Sequence, residues 1–227
     1  MKGVKGAAAV AVGAVALALL APGCLEPFRV RVDPGVLERA SGWVETPGGT
    51  EGGFLGPKTK ETRYAFDRDP DAAAPFAGSL QVFSIRAIDR LEPGELLGLA
   101  RDLVDRGAAD KNITLDPGGP SGQRVLASGV ETRWFVREGR TTQSGDLFEQ
   151  GVRVRIVGEV GHDGRSDTSF LAIGMAQVSR TNQCPILGPC QPEETDLQTW
   201  IQIVGDPQGT VQGATSSLGF IDHLETR

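Results

Sequence analysis

One stretch constrains the fold more than any other. In Thr168–Val178, Phe170, Ala172, Gly174, Ala176 and Val178 fall on one face of a strand, and Leu171, Ile173 and Met175 on the other. Side chains alternate faces along a strand, so a run that is apolar at both parities has no side to show to water. Such a strand belongs in the middle of a sheet whose two faces are both covered.

The rest of the chain supplies the neighbours and the cover. Val152-Arg-Val-Arg-Ile156 alternates apolar with charged residues, the mark of a half-buried strand. Gly161-His-Asp-Gly-Arg-Ser-Asp167 then joins it to the central strand as a hairpin loop. Further strands are expected at Phe28–Val32, Glu61–Phe66, Ser79–Ile88, Val125–Ser128, Val130–Arg137 and Thr199–Val204. One strong helix is expected over about 93–106. Pro93 suits its first position, Leu96, Leu99, Ala100, Leu103 and Val104 form its apolar face, and Gly107 offers a stop. The order of elements implies an α+β domain, a mostly antiparallel sheet of about five to seven strands with one main covering helix. No repeat or second core is visible, so residues 60–227 read as one domain.

Composition narrows the function classes. The 227 residues carry 23 Lys+Arg against 29 Asp+Glu, a formal net charge of −6, which argues against general nucleic-acid binding. An apolar fraction of 39% is too high for wholesale disorder. Two His and three Cys leave little from which to build a zinc site, and no cofactor motif is present. Gly52-Gly-Phe-Leu-Gly-Pro-Lys-Thr59 is not a phosphate loop, because Pro57 stands where that motif needs Gly before the Lys.

The N-terminus reads as an address. Lys2 and Lys5 precede an apolar run, Ala7–Ala21, that is short for a membrane span and ends at Pro22 and Gly23. Residues 1–23 are therefore expected to be a signal peptide, with a retained anchor as the alternative. Leu19-Leu-Ala-Pro-Gly-Cys24 resembles a prokaryotic lipoprotein signal, in which a small residue precedes a Cys that becomes the lipidated N-terminus. Gly23 and Cys24 match that pattern, while Ala21 and Pro22 depart from it and leave ordinary cleavage open. The resemblance implies lipidation of Cys24, membrane attachment through that lipid, and a location on the outer face of the cell membrane or envelope. Cleavage would remove Lys2 and Lys5 and no acid, making the body more negative still. Such a body near an anionic membrane is expected to be held by its lipid and not by charge.

With Cys24 committed to lipid, Cys184 and Cys190 remain, in Cys-Pro-Ile-Leu-Gly-Pro-Cys. In an exported protein this pair reads as a local disulfide, worth about 2 kcal/mol for so short a loop. Residues 24–59, rich in Gly and Pro, read as a lipid-anchored spacer, with an edge strand near Val30 as an option. Val154–Glu159, Ser169–Gln177 and Thr199–Pro207 resemble uncharacterised exported prokaryotic or archaeal proteins, which implies no activity. The layout also loosely resembles the Mog1/PsbP-like sandwich.

Candidate chemistry is sparse. A Ser-His-Asp site has only His162 and His223 as bases and no Gly-x-Ser-x-Gly elbow. Asp67, Asp69 and Asp71 alternate in one loop, and Asp163 and Asp167 share another; either set could offer oxygens to a hard cation. Asn112-Ile-Thr114 is a glycosylation sequon just past the helix. Trp43, Trp134 and Trp200 read as core or sheet-face residues in preference to a ligand groove. The reading that follows is a lipid-anchored envelope protein acting as a non-catalytic module that binds another envelope protein or a small ligand. A secreted metal-assisted hydrolase using the loop carboxylates is the alternative, and a structural envelope component a third.

Overall fold

The computed structural model describes residues 28–51, 58–66, 77–87, 91–144, 149–181, 193–206, 209, 211 and 214–227. The fold is mostly antiparallel sheet with few helices, richer in β-structure than an evenly mixed domain. Nine strands form one sheet: β2 (Trp43–Glu51), β3 (Lys58–Phe66), β4 (Gly78–Arg86), β5 (Thr114–Leu115), β6 (Ser121–Val125), β7 (Glu131–Ser144), β8 (Glu149–Asp163), β9 (Thr168–Thr181) and β10 (Glu194–Thr195). The main path runs β2-β3-β4-β9-β8-β7-β5, with β6 also on β7 and β10 on β9. The two-sided strand β9 is thus central, between β4 and β8. A separate pair joins β1 (Val30–Val32) to β11 (Leu224–Thr226).

Each face of the sheet has its own core. Against one face lies α2 (Pro93–Asp110), whose buried residues Leu96, Ala100, Val104 and Ala108 recur every four positions. They meet Leu171, Ile156, Val160 and Phe135. Each fully buried Leu or Val there is worth about 1.5–3 kcal/mol. The other face is covered by β1, β11, α1 (Pro34–Arg39) and α3 (Gln198–Val204), around Trp200, Tyr64, Phe170 and Phe220. All three Trp are buried.

Several expectations need correction. The segment Thr199–Val204 is a helix, not a strand. Its β-branched residues suggest a strand, but those it buries, Thr199, Trp200, Ile203 and Val204, are spaced one and four apart as on a helix. The Asp196 carboxylate accepts from the Gln198 amide at 2.8 Å at its start, and Gly205 with φ 46° closes it. Helix α2 passes through Gly107 and ends at Asp110, three residues beyond that stop. The Ile113 amide donates to Ala108 O at 2.8 Å and the Asn112 amide to Ala109 O at 3.1 Å, with Asn112 left-handed at φ 53°. Asn112 performs the helix-ending turn that glycine usually makes. Within 24–59, the described residues are not a spacer. They form β1, α1 and β2, because Phe28, Val30, Val32, Val36 and Trp43 are buried. The Gly48-Gly49 stretch marks a register shift in β2, an edge strand that also tolerates Pro47. Strand β6 ends at Val125, ahead of the turn, instead of beginning there.

Candidate functional site

Helix α2 packs on β7, β8 and β9 and leaves part of β4 open beside it, around Phe83. A cleft of about 500 Å³ opens along the C-terminal half of the helix. Its floor is Phe83 of β4, Ile173 and Met175 of β9 and Ile156 of β8, and its wall is Leu103, Val104 and Ala108. Phe83, Leu103, Ile173 and Met175 are only half-buried. The alternation that made β9 two-sided supplies this surface: Ile173 and Met175 face α2 but lie beyond its edge. Polar groups rim the opening: Ser79, Gln81, Arg106, Asp110 and Lys111. Gly107 sits in the wall, and a Cβ there would meet open space. Chemically the cleft offers an apolar floor and a mixed-charge rim, with no nucleophile opposite a base among its residues.

A second cleft, about 510 Å³, lies at the N-terminal end of α2 and is mixed in character, lined among others by Leu96, Val130, Val160, Arg133, His162 and Asp163, with Arg165 also at its edge. The hairpin acids serve the turn here. Asp163 accepts from the Arg165 amide at 3.0 Å and from the Ser166 hydroxyl at 2.9 Å. Partial burial pushes its carboxyl up, but hydrogen bonds from Arg165, Thr226 and Ser166 outweigh that and leave it below the usual range. Asp167 is left-handed at φ 48° and its side chain is 81% exposed. The two acids therefore occupy different environments. Among the described residues, no group of three or more His, Cys, Asp or Glu is placed to hold a metal ion.

His162 lies between a hydroxyl and an acid: Nδ1 is 3.1 Å from Ser169 Oγ, and Nε2 is 3.6 Å from Asp167 Oδ1. A working triad keeps its orienting acid buried and its nucleophile open. Here the order is inverted, with Ser169 only 6% exposed and Asp167 in solvent. The arrangement is a cross-strand bond between the paired residues His162 and Ser169. Asn112 is exposed at the end of α2, so the sequon is sterically open. Cys24, Asp67, Asp69, Asp71, Cys184 and Cys190 lie outside the described residues.

Sequence reasoning missed a buried ionic cluster on the opposite face. Arg124 of β6 forks onto Glu159 of β8, with Nε to Oε1 at 2.8 Å and Nη2 to Oε2 at 2.7 Å. Both side chains are almost fully buried, at 1% and 0% exposure. Thr132 Oγ1, on β7 between them, donates to Glu159 Oε1 at 2.6 Å. Arg124 Nη1 also donates to Gly205 O at 2.6 Å, and Nη2 to Val204 O at 3.3 Å, so the guanidinium caps the C-terminus of α3. Asp206 and Asp222 are buried close by. Burial pushes the Asp222 carboxyl up; Arg124 and His223 oppose this, while Glu159 and Asp206 reinforce it. The available signal was a single Glu in the apolar run Val157-Gly-Glu-Val160. A charge there must be paired or neutral.

Compared with known proteins, the chain matches no family model, no curated protein and no solved structure.

Proposed function

We propose that this chain is an exported, lipid-anchored envelope protein that acts by binding, with the groove beside α2 as its site and a small apolar ligand as the occupant. The observation that carries the reading is the floor of Phe83, Ile173 and Met175, large apolar side chains left half-covered inside a concave, polar-rimmed cleft. The LAPGC sequence at 20–24 supports attachment through Cys24, and the paired Cys184 and Cys190 support an oxidising compartment. The covered antiparallel sheet supports the loose likeness to the Mog1/PsbP sandwich. The metal-assisted hydrolase reading has no comparable observation behind it.

Titration of residues 25–227 with a fluorescent dodecanoyl probe tests the site. Met175→Glu sets a charge in the floor and is expected to weaken the probe about tenfold, since an unpaired charge in an apolar site is costly. Arg133→Ala, in the other cleft, should leave it unchanged. Equal affinities for Met175→Glu and the natural sequence would remove the groove as the site. The intact mass of the protein from membranes tests the address: a diacylglyceryl group on Cys24, and two hydrogens gained on reduction if Cys184 and Cys190 are bridged.

A further inference from the structure

The body is acidic overall, yet four of its cations converge at one end of the sheet. Lys58 at the start of β3 pairs in register with Arg86 at the end of β4, and Lys60 with Ser84, so Lys58, Lys60 and Arg86 point to the same face. Phe28 lies beneath them. Lys60 Nζ is 4.1 Å from the centre of its ring and the Arg86 guanidinium carbon 5.0 Å, two cations against one aromatic ring. Arg29 follows Phe28 in the chain. Burial, then Arg29, Arg86 and Lys58 in turn, hold the Lys60 ammonium below its usual pKa, so all three cations act on it and no carboxylate among the described residues offsets them. None of the ion pairs among the described residues involves Arg29, Lys58, Lys60 or Arg86. Nearby acids are engaged elsewhere: Glu61 with Arg63, Glu225 and Asp33 with Arg227, and Asp163 within its turn. Arg86 gives Nη2 to Ser166 O, and its buried Nε has no partner. Among the described residues, these mutually repelling cations have no carboxylate in an ion pair with them.

Position says which anion. Phe28 is four residues from Cys24, at most about 14 Å of extended chain. A lipid on Cys24 therefore brings this end of the sheet to the bilayer surface before any other. We propose that Arg29, Lys58, Lys60 and Arg86 form a docking face for an anionic membrane, binding lipid phosphates and fixing the orientation of the tethered domain. The inference rests on the anchored reading above and adds a second attachment to it. Local charge overrides the acidic total because screening confines each interaction to about 10 Å at moderate salt. Acids elsewhere on the molecule are not felt at this face. The groove beside α2 lies on the other face of the sheet, because Phe83 alternates with Ser84 and Arg86 along β4, so docking leaves it uncovered.

The three lysines beyond residue 23 make the test direct: Lys58 and Lys60 lie in the face, and Lys111 at the far end of α2. The full protein, taken from membranes, is reconstituted into vesicles of phosphatidylcholine or of an equal mixture with phosphatidylglycerol. It is then acylated with an impermeant amine reagent and read by mass spectrometry. Labelling of Lys58 and Lys60 relative to Lys111 should fall about fivefold in the anionic vesicles and recover in high salt. Lys58→Glu, at an exposed strand end, should restore labelling of Lys60 without changing the melting temperature. Equal ratios in the two vesicles would overturn the docking face, and if the intact mass of the same preparation shows lipid on Cys24, the anchor stands alone. If Cys24 carries no lipid, salt-sensitive protection in the anionic vesicles still supports the face while the anchored reading falls. Equal protection by inorganic phosphate in detergent, without vesicles, would make this a free-anion site and overturn the membrane assignment.

Discussion

At Asn112 a single backbone angle ends a helix. Its φ of 53° belongs to the region where a Cβ crowds the following carbonyl, and Asn tolerates it better than most residues but worse than glycine. Asn112→Gly relieves that strain and loosens the unfolded chain, two effects of opposite sign. Relief is the larger where the two turn bonds to Ala108 and Ala109 remain. The expected gain is about 0.5–1 kcal/mol, read by chemical denaturation, and Asn112→Val should lose at least as much. A glycine at 107 reads as the stop in sequence, because glycine is the commonest helix terminator. The structure overrides it with packing: Val104 and Ala108, on either side, are buried against the sheet, and the helix continues to keep them there.

Elements in this chain fit one another through missing side chains. Helix α3 lies on β4 and β9 because Gly78 and Gly174 leave room for it. A Cβ on Gly174 would sit 2.4 Å from Ile203 Cγ2, and one on Gly78 2.3 Å from Thr199 Cγ2. Gly174→Ala sets two effects against each other. Removing a glycine from a strand gains about 0.5–1 kcal/mol, and forcing a methyl group into a filled core costs about 1–3 kcal/mol. Overpacking should win, lowering the melting temperature by about 2–4 °C for each kcal/mol, and Ile203→Ala, which removes the Cγ2 that the new methyl strikes, should cost less in that chain than in the natural sequence. Legibility in the sequence followed the same division. Period-two alternation located β3, β4, β7, β8 and β9 and the central place of β9, since those patterns are set by water on one side and core on the other. Helix α3 was not legible, because seven residues contain too few turns for a period to emerge and five of them are β-branched or aromatic. Strand β2 was hidden by its Gly and Pro residues, which belong to an edge and not to a linker. The groove could be seen only as two apolar residues, Ile173 and Met175, whose exposure depends on where α2 stops covering β9.

Across the whole molecule, one buried cation holds distant parts together. Arg124 joins β6 to β8 through Glu159, caps α3, and sits beside Asp206 and Asp222 from the segments that follow α3. Three carboxylates share that single guanidinium, so the site favours a proton on Asp222. Its folded-state pKa is raised, so the stability it contributes is fully present below the ordinary aspartate value and is lost as pH rises through the elevated one. Asp163 behaves oppositely: its contribution is present above the ordinary value and lost as pH falls through the depressed one. Asp222→Asn keeps the shape and removes the titration. Its melting temperature, measured from acid to neutral pH, should exceed that of the natural sequence most at the neutral end, with the difference closing in acid. A constant difference across that range would show that Asp222 does not carry the dependence.

Among the described residues, strand β1 has its only ladder partner in β11, with Val30 opposite Thr226 and reciprocal backbone bonds between Arg29 and Arg227. That pairing has a consequence in time. Nearly two hundred residues separate the two strands, and the core of one sheet face, which includes Val30, Val32 and Leu224, cannot close until both have been made. A growing chain that already displays β1 must leave it unmatched while everything up to β11 is still being synthesised. Closure of that sheet face then waits on β11, which acts as its latch.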